Sequence, residues 1–75
     1  MSDTYPLLEV LNANGEAVNV VVWHIRAICE AKVRGRTVTR IEYANGDTLD
    51  LDPSENATAV IERFYEAAER PERGQ

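Results

Sequence analysis

The sequence predicts a small α+β domain: a curled antiparallel sheet of four or five strands with one C-terminal α-helix, at about residues 53–69, lying across a face. Three observations lead there. Asn14-Gly15 and Asn45-Gly46 are the strongest short-range hairpin signal, because both residue types tolerate the positive φ of a tight type I′ turn. Alternating apolar residues follow each pair, as period-two strands require. Asp52-Pro53-Ser54-Glu55 reads as a helix start, with Asp52 as cap, Pro53 in the first turn and Glu55 completing a capping box.

Tyr5 to Leu11 forms the first predicted strand, with Pro6 tolerable near its start on an edge. Asn12 to Gly15 turns the chain, and Glu16 to Val22, rich in β-branched valine, returns it. The next stretch supports two readings. Val18, Val21, Val22, Ile25, Ile28, Cys29 and Lys32 fall at helical spacing, so a helix over about 17–33 would give a β-α-β-β-α order. Against it, Val20-Val21-Val22-Trp23 is χ1-restricted and has poor helix propensity. Ile25, Ala27, Cys29, Ala31 and Val33 also alternate with Arg26, Glu30, Lys32 and Arg34, which fits a corner at Trp23-His24 followed by a third strand.

Gly35 marks the next turn. Thr37 to Tyr43 places Thr37, Thr39, Ile41 and Tyr43 on one face, and the second Asn-Gly hairpin returns into Thr48 to Leu51 with Leu49 and Leu51 inward. In the helix, Ala57, Val60, Ile61, Phe64, Ala67 and Ala68 recur on the docking face, Glu66 and Arg70 are spaced to pair, and Pro71 ends the element. Residues 1–70 read as one domain and 71–75 as a flexible tail.

The 75-residue chain holds 44% hydrophobic residues, enough for a globular domain and too many for a disordered one. At this size, burial roughly balances conformational entropy of about 1.5 kcal/mol per ordered residue, so self-association would help and a homodimer is expected. Cys29 is the lone cysteine, which excludes an intramolecular disulfide and points to a cytoplasmic protein. Val20 to Trp23 is the longest apolar run, far short of a membrane span, and the first residues lack signal-peptide character. Asn56-Ala57-Thr58 matches a glycosylation sequon that has no use without secretion.

Net charge is −5, unevenly distributed. Arg26, Lys32, Arg34, Arg36 and Arg40 form a basic stretch, the candidate partner-binding face. Glu42, Asp47, Asp50, Asp52 and Glu55 follow as a candidate acidic face. Adjacent strands could satisfy these charges across a sheet, or the two faces could steer a partner. A Gly-centred basic hairpin tip can contact phosphates or an acidic protein, and the acidic whole makes nucleic acid the weaker choice. Trp23 is either a core anchor or an interface anchor. His24 lacks companion ligands, Cys29 lacks a base, and the Asp47, Asp50, Asp52 intervals are wrong for a calcium loop. No catalytic residue, metal or cofactor is expected.

Leu8 to Leu11, Asn14-Gly15, Ile25 with Ile28 and Glu30, Ile41 and Tyr43 before Asn45-Gly46, Leu49 and Leu51, Ser54-Glu55, and the helical Val60, Ile61 and Phe64 follow one another in an order that resembles the small flagellar and swarming-motility proteins of the FlbD type. The resemblance spans roughly residues 7–66. It departs from the family at Val21-Val22-Trp23 and in the basic insertion Lys32 to Arg36. It implies a non-enzymatic motility accessory protein. A small acidic phage or mobile-element protein that mimics nucleic acid is the alternative, and a LytTR-like DNA-binding domain a third.

Overall fold

A computed structural model of the chain describes residues 6–69. Its elements run β1 (Leu7–Leu11), β2 (Ala17–Val21), a single 3₁₀ turn (Val22–His24), β3 (Ile25–Val33), β4 (Arg36–Tyr43), β5 (Thr48–Asp50) and α1 (Ala57–Glu69). The protein is therefore the small α+β fold that its sequence predicts. All pairings are antiparallel, in a two-stranded sheet β1-β2 and a three-stranded sheet β3-β4-β5. The curled sheet is thus divided in two. An isolated bridge, Asn12 to Leu51, and a 2.9 Å hydrogen bond from the Asp52 N–H to the Leu11 carbonyl join the parts. The predicted tail 71–75, the Glu66–Arg70 pair and Tyr5 at the first strand's start involve residues outside the described ones.

The helical alternative over 17–33 does not form; that stretch is β2, the 3₁₀ turn and β3. Its helical spacing has a specific origin. Val20 and Val22 are buried two residues apart, as in a strand. The 3₁₀ turn then delays the next core residue to Ile25, and a β-bulge between Ile25 and Ala27 delays the following one to Ile28. Each irregularity inserts one residue into the alternation, and two such insertions imitate a helical period. The bulge also corrects the predicted facing of β3. Ile25 opposes Tyr43 and Ile28 opposes Ile41, so Ile28 and Ile25 both pack on the core. Ala27, Cys29, Ala31 and Val33 occupy the opposite face.

The turns also differ from expectation. Gly15 and Gly46 have φ of 82° and 97°, but Arg34, at 55°, is the one non-glycine with positive φ among the described residues. Asn14 and Asn45 therefore do not occupy a type I′ turn. The Gly15 N–H donates to the Asn12 carbonyl at 2.8 Å and the Gly46 N–H to the Tyr43 carbonyl at 3.0 Å, the arrangement of a type I turn followed by a left-handed glycine. The Asn45 side chain stabilises its loop by accepting the Asp47 N–H at 2.9 Å, while in the first loop this role falls to Asn12, which accepts from Asn14 and Glu16. The tight two-residue turn is Arg34-Gly35, where both residues have positive φ and Val33 pairs with Arg36.

The core consists of Leu8, Val10, Val20, Val22, Ile41, Leu51 and Val60, flanked by Ile28, Leu49, Phe64 and Ala67. The helix starts four residues later than predicted, at Ala57. Asn56 is its cap, its Oδ1 accepting the Ala59 N–H at 3.1 Å. Asp52 instead closes the preceding turn by accepting the Ser54 N–H at 3.0 Å. Glu55 is drawn away from any capping box. Its Oε2 accepts the Leu11 N–H at 2.7 Å, its Oε1 meets Arg63 Nη2 at 2.6 Å, and its carbonyl accepts the Thr39 hydroxyl at 3.1 Å. Arg63 Nη1 also donates to the Glu9 carbonyl at 3.1 Å, so two side chains stand along β1 where a further strand would lie. Glu55→Ala leaves the Leu11 N–H and Arg63 without this carboxylate and should cost about 2–3 kcal/mol, read as a lower urea midpoint at unchanged m-value.

Candidate functional site: the β3–β4 hairpin

The five basic residues separate into two groups. Arg26, the bulged residue of β3, reaches Glu42 with Nη2 3.1 Å from Oε1. Arg40 lies directly opposite Asp50 across the β4–β5 ladder and binds it with both ends of its guanidinium, Nε at 2.6 Å and Nη2 at 3.2 Å. These two arginines are thus part of cross-strand charge pairing. Lys32, Arg34 and Arg36 are exposed at the far end of the hairpin, and none forms an ion pair among the described residues. Their placement follows from strand lengths: β5 pairs β4 only at Arg40 to Glu42, so the remainder of the β3–β4 ribbon extends past it.

Arg34 occupies a left-handed conformation at the centre of that tip. Such φ is disfavoured for a side chain with a Cβ, and asparagine or glycine is the preferred occupant of this turn position. A guanidinium therefore stands where turn geometry alone would select a smaller residue.

The acidic candidates are dispersed. Glu42 and Asp50 meet the two arginines, Asp47 accepts from the Asn45 side-chain amide at 3.2 Å, Asp52 closes its turn, and the Glu55 side chain is only 10% exposed against Arg63. The Arg40 hydrogen bond holds the Asp50 carboxyl below the usual carboxylate range, and hydrogen bonds from Ser54 do the same for Asp52. Burial, reinforced by Asp47, pushes the Tyr43 phenol up.

Trp23 is 65% exposed in the 3₁₀ turn, which removes it from the role of core anchor and leaves it on the surface as a candidate interface anchor. His24, beside it, is exposed. Cys29 is a half-buried free thiol whose Sγ lies 3.8 Å from Glu42 Oε2. Among the described residues no cluster of three His, Cys, Asp or Glu side chains could hold a metal ion. No helix among them is long and apolar enough to cross a membrane.

Two features escaped the sequence reading. The Glu55–Arg63 contact spans eight residues, beyond the neighbouring positions of a helix, and Glu55 lies before the helix starts. The turn at Gly35 was expected, but its tight two-residue geometry, with Arg34 at positive φ, lacks the asparagine or aspartate that would announce it. No family model matches this sequence, and no curated protein or solved structure matches it either.

Two outcomes test the local physics. Arg34→Asn should relieve the turn and raise stability by roughly 0.5–1 kcal/mol, seen as a higher urea midpoint. For Asp50, the folded carboxyl titrates below its unfolded counterpart. Its stabilisation is complete above the ordinary carboxylate range and is lost as pH falls through the lower, folded value. Urea midpoints of the wild type should therefore decline on acidification through that window more steeply than those of Asp50→Asn.

Proposed function

We propose that this chain is a small non-enzymatic protein-interaction module that presents the β3–β4 tip to an acidic patch on a partner protein. One observation carries the reading: Lys32, Arg34 and Arg36 cluster at the free end of the hairpin, Lys32 and Arg36 on opposite faces of the ribbon, without ion pairs among the described residues, whereas Arg26 and Arg40 are paired. The arginine at this left-handed position supports it, since the turn requires positive φ there but not a guanidinium, which points to a use for the side chain. The tip supplies steering and orientation toward a local acidic patch, while the negative remainder of the molecule disfavours the extended anionic surface of a nucleic acid.

The resemblance to FlbD-type proteins supports a motility accessory role in the cytoplasm. The nucleic-acid mimic draws less support, because Glu42, Asp50 and Glu55 are engaged by arginines of the same chain. For a LytTR-like DNA reader, three cations would give a modest contact with a salt slope of roughly −0.9 per neutralised phosphate.

The test is affinity capture from lysate of the source cells with wild type and with Arg34→Asn/Arg36→Ser, which preserves the turn. A protein retained by the wild type at low salt, insensitive to nuclease and bound roughly tenfold more weakly by the variant, supports the proposal. Capture that is equal for both proteins, or that nuclease abolishes, overturns it.

A further inference from the structure

We propose that β3 is a self-pairing edge: two copies of this chain join their β3 strands antiparallel, about a two-fold axis at Ala31, into one continuous six-stranded sheet. This goes beyond the docking role of the tip and does not depend on it: Lys32 is engaged between the copies, and Arg34 and Arg36 are left to the tip.

The longest strand of the protein, nine residues and free of proline, lies at the edge of the β3-β4-β5 sheet. Long edges are usually blunted, because their open N–H and C=O groups recruit further strands. Here the bulge at Arg26 disturbs only the beginning of the strand, and Ile28 to Val33 is regular up to the turn.

The direction of the open groups follows from the ladder. Leu51 N–H donates to the Thr39 carbonyl and Tyr43 N–H to the Asp47 carbonyl, so odd-numbered β4 residues bond toward the β5 side. Even-numbered ones therefore bond toward β3, where their partners are odd: Arg36 with Val33, Val38 with Ala31, Arg40 with Cys29. Ile28, Glu30 and Lys32 are left with N–H and C=O groups aimed away from β4.

Charge then selects the register. With the axis at Glu30, two glutamates stand directly opposite each other, and with the axis at Lys32, two lysines do; both are unfavourable. With the axis at Cys29, Glu30 faces Ile28 of the second copy. With the axis at Ala31, Glu30 faces the second copy's Lys32 and Lys32 faces the second copy's Glu30. Those residues are the ones whose backbone groups are open, so the two charge pairs coincide with four main-chain hydrogen bonds. On the other face, Cys29 meets Val33 and Ala31 meets Ala31. These half-buried side chains continue the apolar row that begins at Val38, which is 7% exposed. A two-fold interface needs this self-complementarity, because each patch must fit its own copy.

Sedimentation equilibrium over micromolar to millimolar concentrations tests the pairing. The wild type should shift from 8.4 kDa toward twice that mass. Lys32→Glu and Glu30→Lys should each weaken the dimer roughly tenfold or more, since two attractive pairs become repulsive. The double variant Glu30→Lys/Lys32→Glu should restore it, which a mere folding defect in the single variants would not allow. Oxidation reads the register: Cys29→Ser/Ala31→Cys should form a disulfide-linked dimer, while the wild type, whose Cys29 faces Val33, should form little. A wild type that stays at 8.4 kDa throughout overturns the proposal, as does failure of the double swap to rescue. Efficient wild-type cross-linking through Cys29 overturns the Ala31 register. Arg34→Asn/Arg36→Ser should leave dimerisation unchanged, so failure of the tip reading and failure of this one are separable.

Discussion

The carboxylate of Glu55 occupies the point where the two sheets and the helix meet. One oxygen accepts the Leu11 N–H of β1 and the other holds Arg63 of α1, while the residue's own carbonyl accepts from Thr39 of β4. Hydrogen bonds to a charged group are stronger than neutral ones, and this one is shielded from water on most sides. The arrangement answers a problem created by the divided sheet. Beyond the single bridge at Asn12 and Leu51, β1 has backbone groups along its outer side and no neighbouring strand to receive them. Glu55 and Arg63 supply an acceptor and a donor there, so side chains of the turn and helix substitute for main chain. The hydrophobic cluster of Leu8, Val10, Leu51 and Val60 is closed beneath them.

A second constraint is the bulge at Arg26. It lets a strand that leaves the 3₁₀ turn place both Ile25 and Ile28 on the core, and it carries the Arg26 side chain to Glu42. Past the bulge the strand resumes plain alternation, so Ala27, Cys29, Ala31 and Val33 share the outer face. The same local event thus settles the packing of one end of β3 and the surface chemistry of the other. Beyond β5, Val38 and Thr39 are still buried, and the hairpin past them is largely exposed. Its tip carries Lys32, Arg34 and Arg36, and its edge carries Glu30 and Lys32.

Legibility in the sequence was high where one residue type answers one geometric need. Gly15 and Gly46 have the positive φ that their loops require, and Leu49 and Leu51 face inward as strand period demands. It was lower where a residue has several possible partners. Asn14 and Asn45 are compatible with either a type I′ turn or a type I turn followed by glycine, and the sign of their φ, with the glycine N–H bonds to Asn12 and Tyr43, distinguishes the two. Glu55 satisfies the spacing of a capping box, yet the Leu11 N–H and Arg63 together outcompete that role. Trp23 carries no local mark that separates a buried ring from an exposed one, and its position in the 3₁₀ turn leaves it outside.

By itself, then, the sequence determined the α+β class, the two Asn-Gly hairpins and the closing helix, because turn residues and apolar periodicity act over a few neighbours, while strand or helix over 17–33 was left to the tertiary structure. It also determined that basic and acidic residues sit in consecutive segments. Which charges cancel was decided only by tertiary structure. Strand register sets Arg40 opposite Asp50, the bulge carries Arg26 to Glu42, and the short β5 leaves Lys32, Arg34 and Arg36 beyond reach of either acid. Charge pairing depends on distances between chain-distant atoms, and those distances exist only once the strands have found their partners.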